Sequence, residues 1–290
     1  MEGSELREGI PFHQAFFKAS HNSYEHSIKE QLDRGVRGLE YDIHDDKIQE
    51  LDDFEVYHLP NHINVKLNED GNPKSKLLSE WLALLVEWSD EQKDEHSPIT
   101  LFIEFKDSIV DENNQPDDQY GIGKLNKIIT DAIEGSKLYT YRDFRNNNFE
   151  WPTVQALSAR ILIVLTSYWG GYWASSEGGF ESRLKYLKNC LEGKEDVCFV
   201  SWIEEDKGED VPFLKEKTHF WKCSLEYSTK EYEENNRAQR LTRADFDKII
   251  MGRHVKTYYK KNYEAGYRCN FLATDSWNLE KYDKVFPWSI

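Results

Sequence analysis

Two neighbouring segments of the 290-residue chain place polar residues at the ends of apolar runs, Ala19-Ser20-His21-Asn22-Ser23-Tyr24 and Gly38-Leu39-Glu40-Tyr41-Asp42-Ile43-His44. With His58 and Glu104 they bring together imidazoles, an amide and carboxylates. Glu40 and Asp42 alternate along a β-rich run, so a strand there puts both on one face. Adjacent carboxylates repel unless a cation lies between them. Oxygen donors without thiolates favour a hard ion, Ca2+ or Mg2+, over zinc. Glu104 offers a third carboxylate and Asn22 a neutral carbonyl oxygen. The competing explanation is an ion pair from Glu40 or Asp42 to Arg34 or Arg37. Of the imidazoles His21 and His58, a neutral one can take a proton from an attacking hydroxyl, while a protonated one supports a phosphoryl oxygen or a leaving group. A cation would acidify that hydroxyl and offset charge at phosphorus. The set suits metal-assisted phosphodiester chemistry.

Such a site needs strands that end together. Short β-rich runs alternate with longer amphipathic stretches, a pattern that predicts βα units and a mainly parallel sheet. Strands are expected at Phe16 to Ser20, Gly38 to Ile43, Glu55 to Leu59 and Ile99 to Phe105, then at Arg160 to Thr166, Val197 to Ile203, Cys223 to Glu226 and Asn270 to Thr274. That is about the eight that a closed (β/α)8 barrel requires. The fold expectation is therefore a TIM-type barrel, regular or distorted in its second half, with residues 1–290 as one domain. In a barrel, His21 and His58 would meet at the mouth formed by the strand C-termini. Helices are expected from Glu25 to Arg34, closed by Gly35, and from Lys124 to Ile133. Leu77 to Trp88 has its apolar residues at helical spacing, so Trp81 and Trp88 read as packing rather than binding.

Composition narrows the function classes. Hydrophobic residues make up 39% and charged residues 31%, as in ordinary globular proteins, with a high aromatic share of 14%. A net charge of −16 argues against unspecific nucleic-acid binding and against strong adsorption to anionic membranes. Brief docking at a lipid surface through aromatics stays open. Cys190, Cys198, Cys223 and Cys269 show neither CxxC nor zinc-finger spacing and read as buried free thiols rather than disulfides. The N-terminal residues have no basic segment followed by an apolar one, so the chain reads as cytoplasmic unless a leader has been removed. No apolar run approaches the length of a membrane span.

The run His21-Asn22-Ser23-Tyr24, the segment Asp33 to Asp42, the short Val56-Tyr57-His58 and the strand Ile103-Glu104-Phe105-Lys106 resemble the X-region of the phosphatidylinositol-specific phospholipase C family. Order and spacing are similar to its calcium-dependent microbial branch over roughly residues 13–107. Beyond that the likeness is weak, except that Phe271-Leu272-Ala273-Thr274-Asp275 resembles the last barrel strand. The resemblance implies His21 as general base or proton shuttle toward an inositol 2-hydroxyl, and His58 as support for the phosphorane and as general acid. It implies Asn22, Glu40, Asp42 and Glu104 as Ca2+ ligands, with Mg2+ the alternative. It further implies intramolecular attack on phosphatidylinositol or a related inositol phosphodiester, giving a cyclic inositol phosphate.

Three other residues are candidates for substrate contact. Lys106 lies two residues beyond Glu104 on the same face, where it meets a substrate phosphate or is simply a surface or barrel-wall lysine. Trp169 and Tyr172 belong to the Gly- and aromatic-rich stretch from Ser167 to Phe180, which follows a strand. That stretch either stacks on a sugar or enters a lipid interface, or it packs on itself over the barrel edge. Two rival functions remain. A glycerophosphodiester phosphodiesterase would open with His-Arg-Gly, whereas this chain has His21-Asn22-Ser23. A non-catalytic lipid- or sugar-binding barrel would have no use for two imidazoles around a metal. Oligomeric state is not legible.

Overall fold

The computed structural model describes residues 9–45, 52–58, 65–93, 95–109, 121–166, 175–200, 222–224, 271–274 and 288–289. Among the described residues, nine strands run in chain order as β1 (Ala15–Ser20), β2 (Gly38–His44), β3 (Glu55–Val56), β4 (Ile99–Phe105), β5 (Ile161–Thr166), β6 (Phe199–Val200), β7 (Lys222–Ser224), β8 (Phe271–Thr274) and β9 (Trp288–Ser289). The helices are α1 (Ile28–Asp33), α2 (Leu78–Glu91), α3 (Gly121–Ala132), α4 (Tyr141–Asn146) and α5 (Ser175–Leu191).

Seven strands form one parallel sheet in the order β6-β5-β4-β2-β1-β8-β7. The last of them in sequence, β8, pairs with the first, β1, over Phe17↔Phe271 to Ser20↔Thr274. Pairing of the last parallel strand with the first is the arrangement a (β/α) barrel requires, and among the described residues β6 and β7 form the two ends of the sheet. Residues 201–221, between β6 and β7, lie outside the described part. Side-chain contacts show how sharply the sheet curls. Phe102 of β4 and Phe271 of β8 pack edge to face with centroids 5.0 Å apart. Their strands are separated in the sheet by β2 and β1, a gap of about 14 Å were it flat. Phe12 caps this interior, touching Phe17, Trp151 and Phe271.

β2 is buried along its whole length, as a parallel strand covered on both faces must be. Its odd residues Leu39, Tyr41 and Ile43 face the helical layer, where Tyr41 meets Trp81 of α2 edge-on at 5.6 Å. Leu78, Trp81, Leu82, Leu85 and Trp88 form the buried stripe of α2, so the tryptophans are packing residues as expected. Truncating Leu82 or Leu85 to Ala would cost about 2–5 kcal/mol. The even residues of β2 face the interior. Gly38 is required there, because a Cβ would lie 2.7 Å from Ala19 Cβ and 2.8 Å from the Phe271 ring.

One predicted strand is corrected. β3 is not a parallel stave but a two-residue strand running antiparallel to the C-terminal end of β2, through Ile43↔Val56 and His44↔Glu55. The first predicted helix begins later than expected, after a 3-10 turn at Ser23–Glu25. Ser27 caps α1, its hydroxyl accepting from the Glu30 amide, and Gly35 follows the helix at φ +83°. Cys190 and Cys198 are buried free thiols, and burial pushes the Cys198 thiol up to about 12. The side chains of Cys223 and Cys269 lie outside the described residues. Among the described residues no helix is long and apolar enough to cross a membrane.

Candidate active site

The register between β2 and β4 builds the site wall. Asp42 pairs with Glu104 and Glu40 with Phe102, so the three predicted carboxylates share the interior face of adjacent parallel strands near their C-terminal ends. Glu40, Asp42 and Glu104 each present an oxygen within 4.8 Å of the others. Glu40 and Asp42 are each only 1% exposed. The arginines that would have explained them otherwise have other partners. Arg37 donates to Ser97 Oγ and to the carbonyls of Leu32 and Val36, and Arg34 pairs with Glu30.

Lys106 continues the same face. Its Nζ donates to Glu104 Oε1 and lies 3.3 Å from Asp42 Oδ2. The residue is therefore neither a surface lysine nor an inert wall residue, but the internal counter-ion of the acidic cluster. Burial alone would raise the Asp42 carboxyl. Lys106, His58 and the Tyr24 hydroxyl outweigh that and hold it below the ordinary carboxylate range. Glu104 is pushed upward, by burial and by the nearby charge of Asp42, against the pull of Lys106.

The end of β1 supplies a second wall. Asn22 adopts the left-handed conformation, φ 45° and ψ 52°, which Asn tolerates better than most residues. That kink turns the chain into the 3-10 turn and lets the Asn22 amide donate to Glu40 Oε2 at 3.2 Å. Ser23 Oγ accepts from the Glu40 amide at 2.8 Å, locking the turn onto β2. Tyr24, fully buried, lies 2.9 Å from both Asn22 Oδ1 and Asp42 Oδ2, so one hydroxyl ties the amide to the carboxylate. Burial first, then the charge of Asp42, keep that phenol protonated. His21 Nε2 stands 3.8 Å from Glu40 Oε2, an electrostatic neighbour rather than a hydrogen bond, and its side chain is partly exposed.

His58 reaches the same place by a different route. Because β3 returns antiparallel over β2, the chain beyond it passes back across Asp42. The Tyr57 amide donates to the Asp42 carbonyl at 3.0 Å, and His58 Nδ1 lies 2.6 Å from Asp42 Oδ2. An ionised carboxylate only accepts, so the proton sits on Nδ1 and Nε2 is left for chemistry.

The predicted residues His21, Asn22, Glu40, Asp42, His58, Glu104 and Lys106 thus come together. Trp169 and Tyr172 lie outside the described residues. Two groups were missed in sequence. Tyr24 sits inside the recognised run, and its signal was its place two residues after Asn22. His44 extends the alternation of Glu40 and Asp42 by one step, and it bonds Asp107 at 2.7 Å.

The donor set suits a hard cation. Its ligand atoms are oxygens, and Asp42 Oδ1 is buried with no hydrogen-bond partner, a costly arrangement unless something positive meets it. Glu40, Asp42 and Glu104 would hold the ion, with Asn22 Oδ1 as the neutral donor linked to them through Tyr24.

No family model and no curated protein matches the sequence. Solved structures do match. The chain superposes on a calcium-dependent phosphoinositol-specific phospholipase C from Pseudomonas sp. with TM-score 0.62 at 15% identity, covering 97% of this chain and 96% of that one. Its myo-inositol complex gives 0.61 at 15% identity, covering 96% of each chain. A Ca2+-dependent phosphatidylinositol-specific phospholipase C from Streptomyces antibioticus gives 0.59 at 17% identity, covering 97% of this chain and all of that one. These likenesses establish a shared fold over nearly the whole length.

Proposed function

We propose that this chain is a metal-assisted phosphodiesterase of the phospholipase C type, acting on phosphatidylinositol or a related inositol phosphodiester. The observation that carries the reading is the pairing of each imidazole with a different member of one carboxylate cluster, His58 with Asp42 and His21 with Glu40. A pure binding module has no need of two proton-transfer groups so placed. The solved structures that share the fold are named as inositol-lipid phospholipases, which supports the same substrate class.

A bound Ca2+ would supply charge neutralisation at phosphorus and a more acidic attacking hydroxyl. The chain's own residues do the rest. His21, partly open to solvent, accepts the proton of the inositol 2-hydroxyl as that oxygen attacks phosphorus. His58, fixed through Nδ1 by Asp42, presents Nε2 to the leaving oxygen or to a phosphoryl oxygen and donates a proton there. Holding the hydroxyl of the same ring beside the phosphorus makes the attack intramolecular, and the product a cyclic phosphate. Lys106 lies next to the metal ligands, where its charge also favours a phosphate. The direct test incubates the protein with phosphatidylinositol and with glycerophosphoinositol, in Ca2+ and in chelator. Release of cyclic inositol phosphate in Ca2+ alone is expected. If both substrates survive in Ca2+ between pH 5 and 8, a range of about the His titration, the substrate assignment is wrong. His21→Ala should lose roughly 10²–10⁴-fold in turnover while retaining Ca2+ binding.

A further inference from the structure

Glu40, Asp42 and His44 alternate along β2, so His44 faces the same side as the two carboxylates. It belongs neither to the carboxylate cluster nor to the proton-transfer pair. The residue is 7% exposed, and its Nδ1 lies 2.7 Å from Asp107 Oδ2. Its Nε2 is buried without a hydrogen-bond partner. The face of the ring is the part in use. It lies flat on Tyr57, with centroids 3.7 Å apart and planes within 1°.

Tyr57 precedes His58, and its amide donates to the backbone carbonyl of Asp42, the residue whose carboxylate receives His58 Nδ1. β3 contributes only Glu55 and Val56 to the ladder. Besides the Tyr57 amide and the Val56 amide, which donates to the Lys76 carbonyl at 2.8 Å, the grip on the Tyr57 side chain sets how the chain enters His58. His44 stacks on that side chain, and Lys76 Nζ lies 5.4 Å from its ring centroid. The Asp107 hydrogen bond stops the His44 ring from turning about its own axis.

We propose that His44 is a positioning residue for His58: the face of its ring clamps Tyr57 and so sets the His58 imidazole against Asp42. The kinetic consequence rests on the phosphodiesterase reading above, whereas the structural consequence does not. A flat apolar ring should serve nearly as well as imidazole. It would also remove the orphaned Nε2, and the Asp107 side chain, 37% exposed, would remain hydrated without its partner.

The experiment compares wild type with His44→Ala, His44→Phe and Tyr57→Leu. One readout is kcat and KM on phosphatidylinositol in saturating Ca2+, and the other is the His58 Nδ1 proton resonance in 15N-labelled protein. His44→Ala and Tyr57→Leu are expected to lower kcat by roughly ten- to hundredfold with KM changed less than about twofold, and His44→Phe to stay within about threefold of wild type. The low-field His58 resonance should broaden or vanish in the first two and persist in the third. Where His44→Ala does not fold, His44→Gln replaces it, keeping polarity without a stacking face. A His44→Phe protein as defective as His44→Ala would overturn the proposal, because the nitrogen rather than the ring face would then matter. So would a His44→Ala protein with wild-type kcat and an intact His58 resonance. If wild type turns over no inositol phosphodiester, the functional reading falls, and the resonance comparison alone decides the positioning role.

Discussion

One carboxylate oxygen of Asp42 receives His58 Nδ1 at 2.6 Å, while the other, equally enclosed, has no hydrogen-bond partner. The carboxylate therefore orients an imidazole with one oxygen, and the second is available to a cation that Glu40 and Glu104 could share. Ca2+ should raise the melting temperature. At a hundredfold excess over Kd the stabilisation is about 2.7 kcal/mol, or roughly 4–5 °C for a chain of this size. Asp42→Asn should remove most of that shift, and chelator should reverse it in wild type. An equal shift in both proteins, read by scanning calorimetry, would place the ion elsewhere.

Lys106 occupies the electrostatic position that a divalent ion also seeks, bonded to Glu104 and 3.3 Å from Asp42. Lys106→Met should therefore bind Ca2+ more tightly than wild type in the absence of substrate, by roughly tenfold for each 1.4 kcal/mol of repulsion removed. In chelator the same variant should melt lower, because buried carboxylates lose their counter-ion. Isothermal titration and melting curves check the two halves separately. Unchanged affinity would mean that Lys106 exerts no repulsion on the bound ion.

The site was legible in the sequence wherever it depends on alternation along a strand. Glu40 and Asp42 had to share a face, and Glu104 followed from a strand of clear β content. His58 came out at the correct mouth for a reason that sequence did not contain. A run of five residues, Glu55 to Leu59, reads as another parallel stave, and nothing local says that it folds back antiparallel onto β2. Lys106 was placed on the correct face, but its role as counter-ion depends on the Asp42–Glu104 register between two strands. The stack of His44 on Tyr57 was invisible for the same reason, since it joins residues across a reversal of the chain. The strand pattern was clear in the first half; β6 and β8 fall within the runs expected for them, and β7 begins one residue before its run, at Lys222. Ring contacts such as Phe102 to Phe271, which show the sheet curling, are a property of packing that periodicity does not encode.

At the opposite end of the strands, Asp196 takes a paired hydrogen bond from Arg142, Nε and Nη2 each at 2.8 Å, and a further one from Arg145 at 3.2 Å. The Arg142 hydrogen bonds hold the Asp196 carboxyl below its ordinary value of 3.8. A carboxyl depressed in the folded state contributes stability that is fully present above the unfolded value and is lost as pH falls through the folded one. Asp196→Asn should therefore be less stable than wild type at neutral pH. The difference in urea midpoint should close as pH falls below 3.8. Because Arg142 is largely solvated, the effect will be modest. A difference that persists undiminished at low pH would show that charge is not its source.

Tyr24 has one proton and two acceptors at 2.9 Å, Asn22 Oδ1 and Asp42 Oδ2, and it is the link through which the β1 turn and β2 hold a common geometry. Tyr24→Phe keeps the ring and its packing but deletes that link. Hydrogen bonds to charged groups contribute about 1.5–3 kcal/mol, so the folded state should lose roughly that amount in chelator. The loss of Ca2+ affinity carries the mechanistic information. Freed from Tyr24, the Asn22 amide can rotate, and the neutral donor is no longer preorganised, which should weaken binding by roughly tenfold or more, as losing a group that orients a metal ligand does. Asn22→Ala should weaken binding to a similar degree, and combining it with Tyr24→Phe should add little, because both remove the same carbonyl oxygen from the set. Fully additive losses in Ca2+ titrations would instead mean that Tyr24 acts through Asp42 alone.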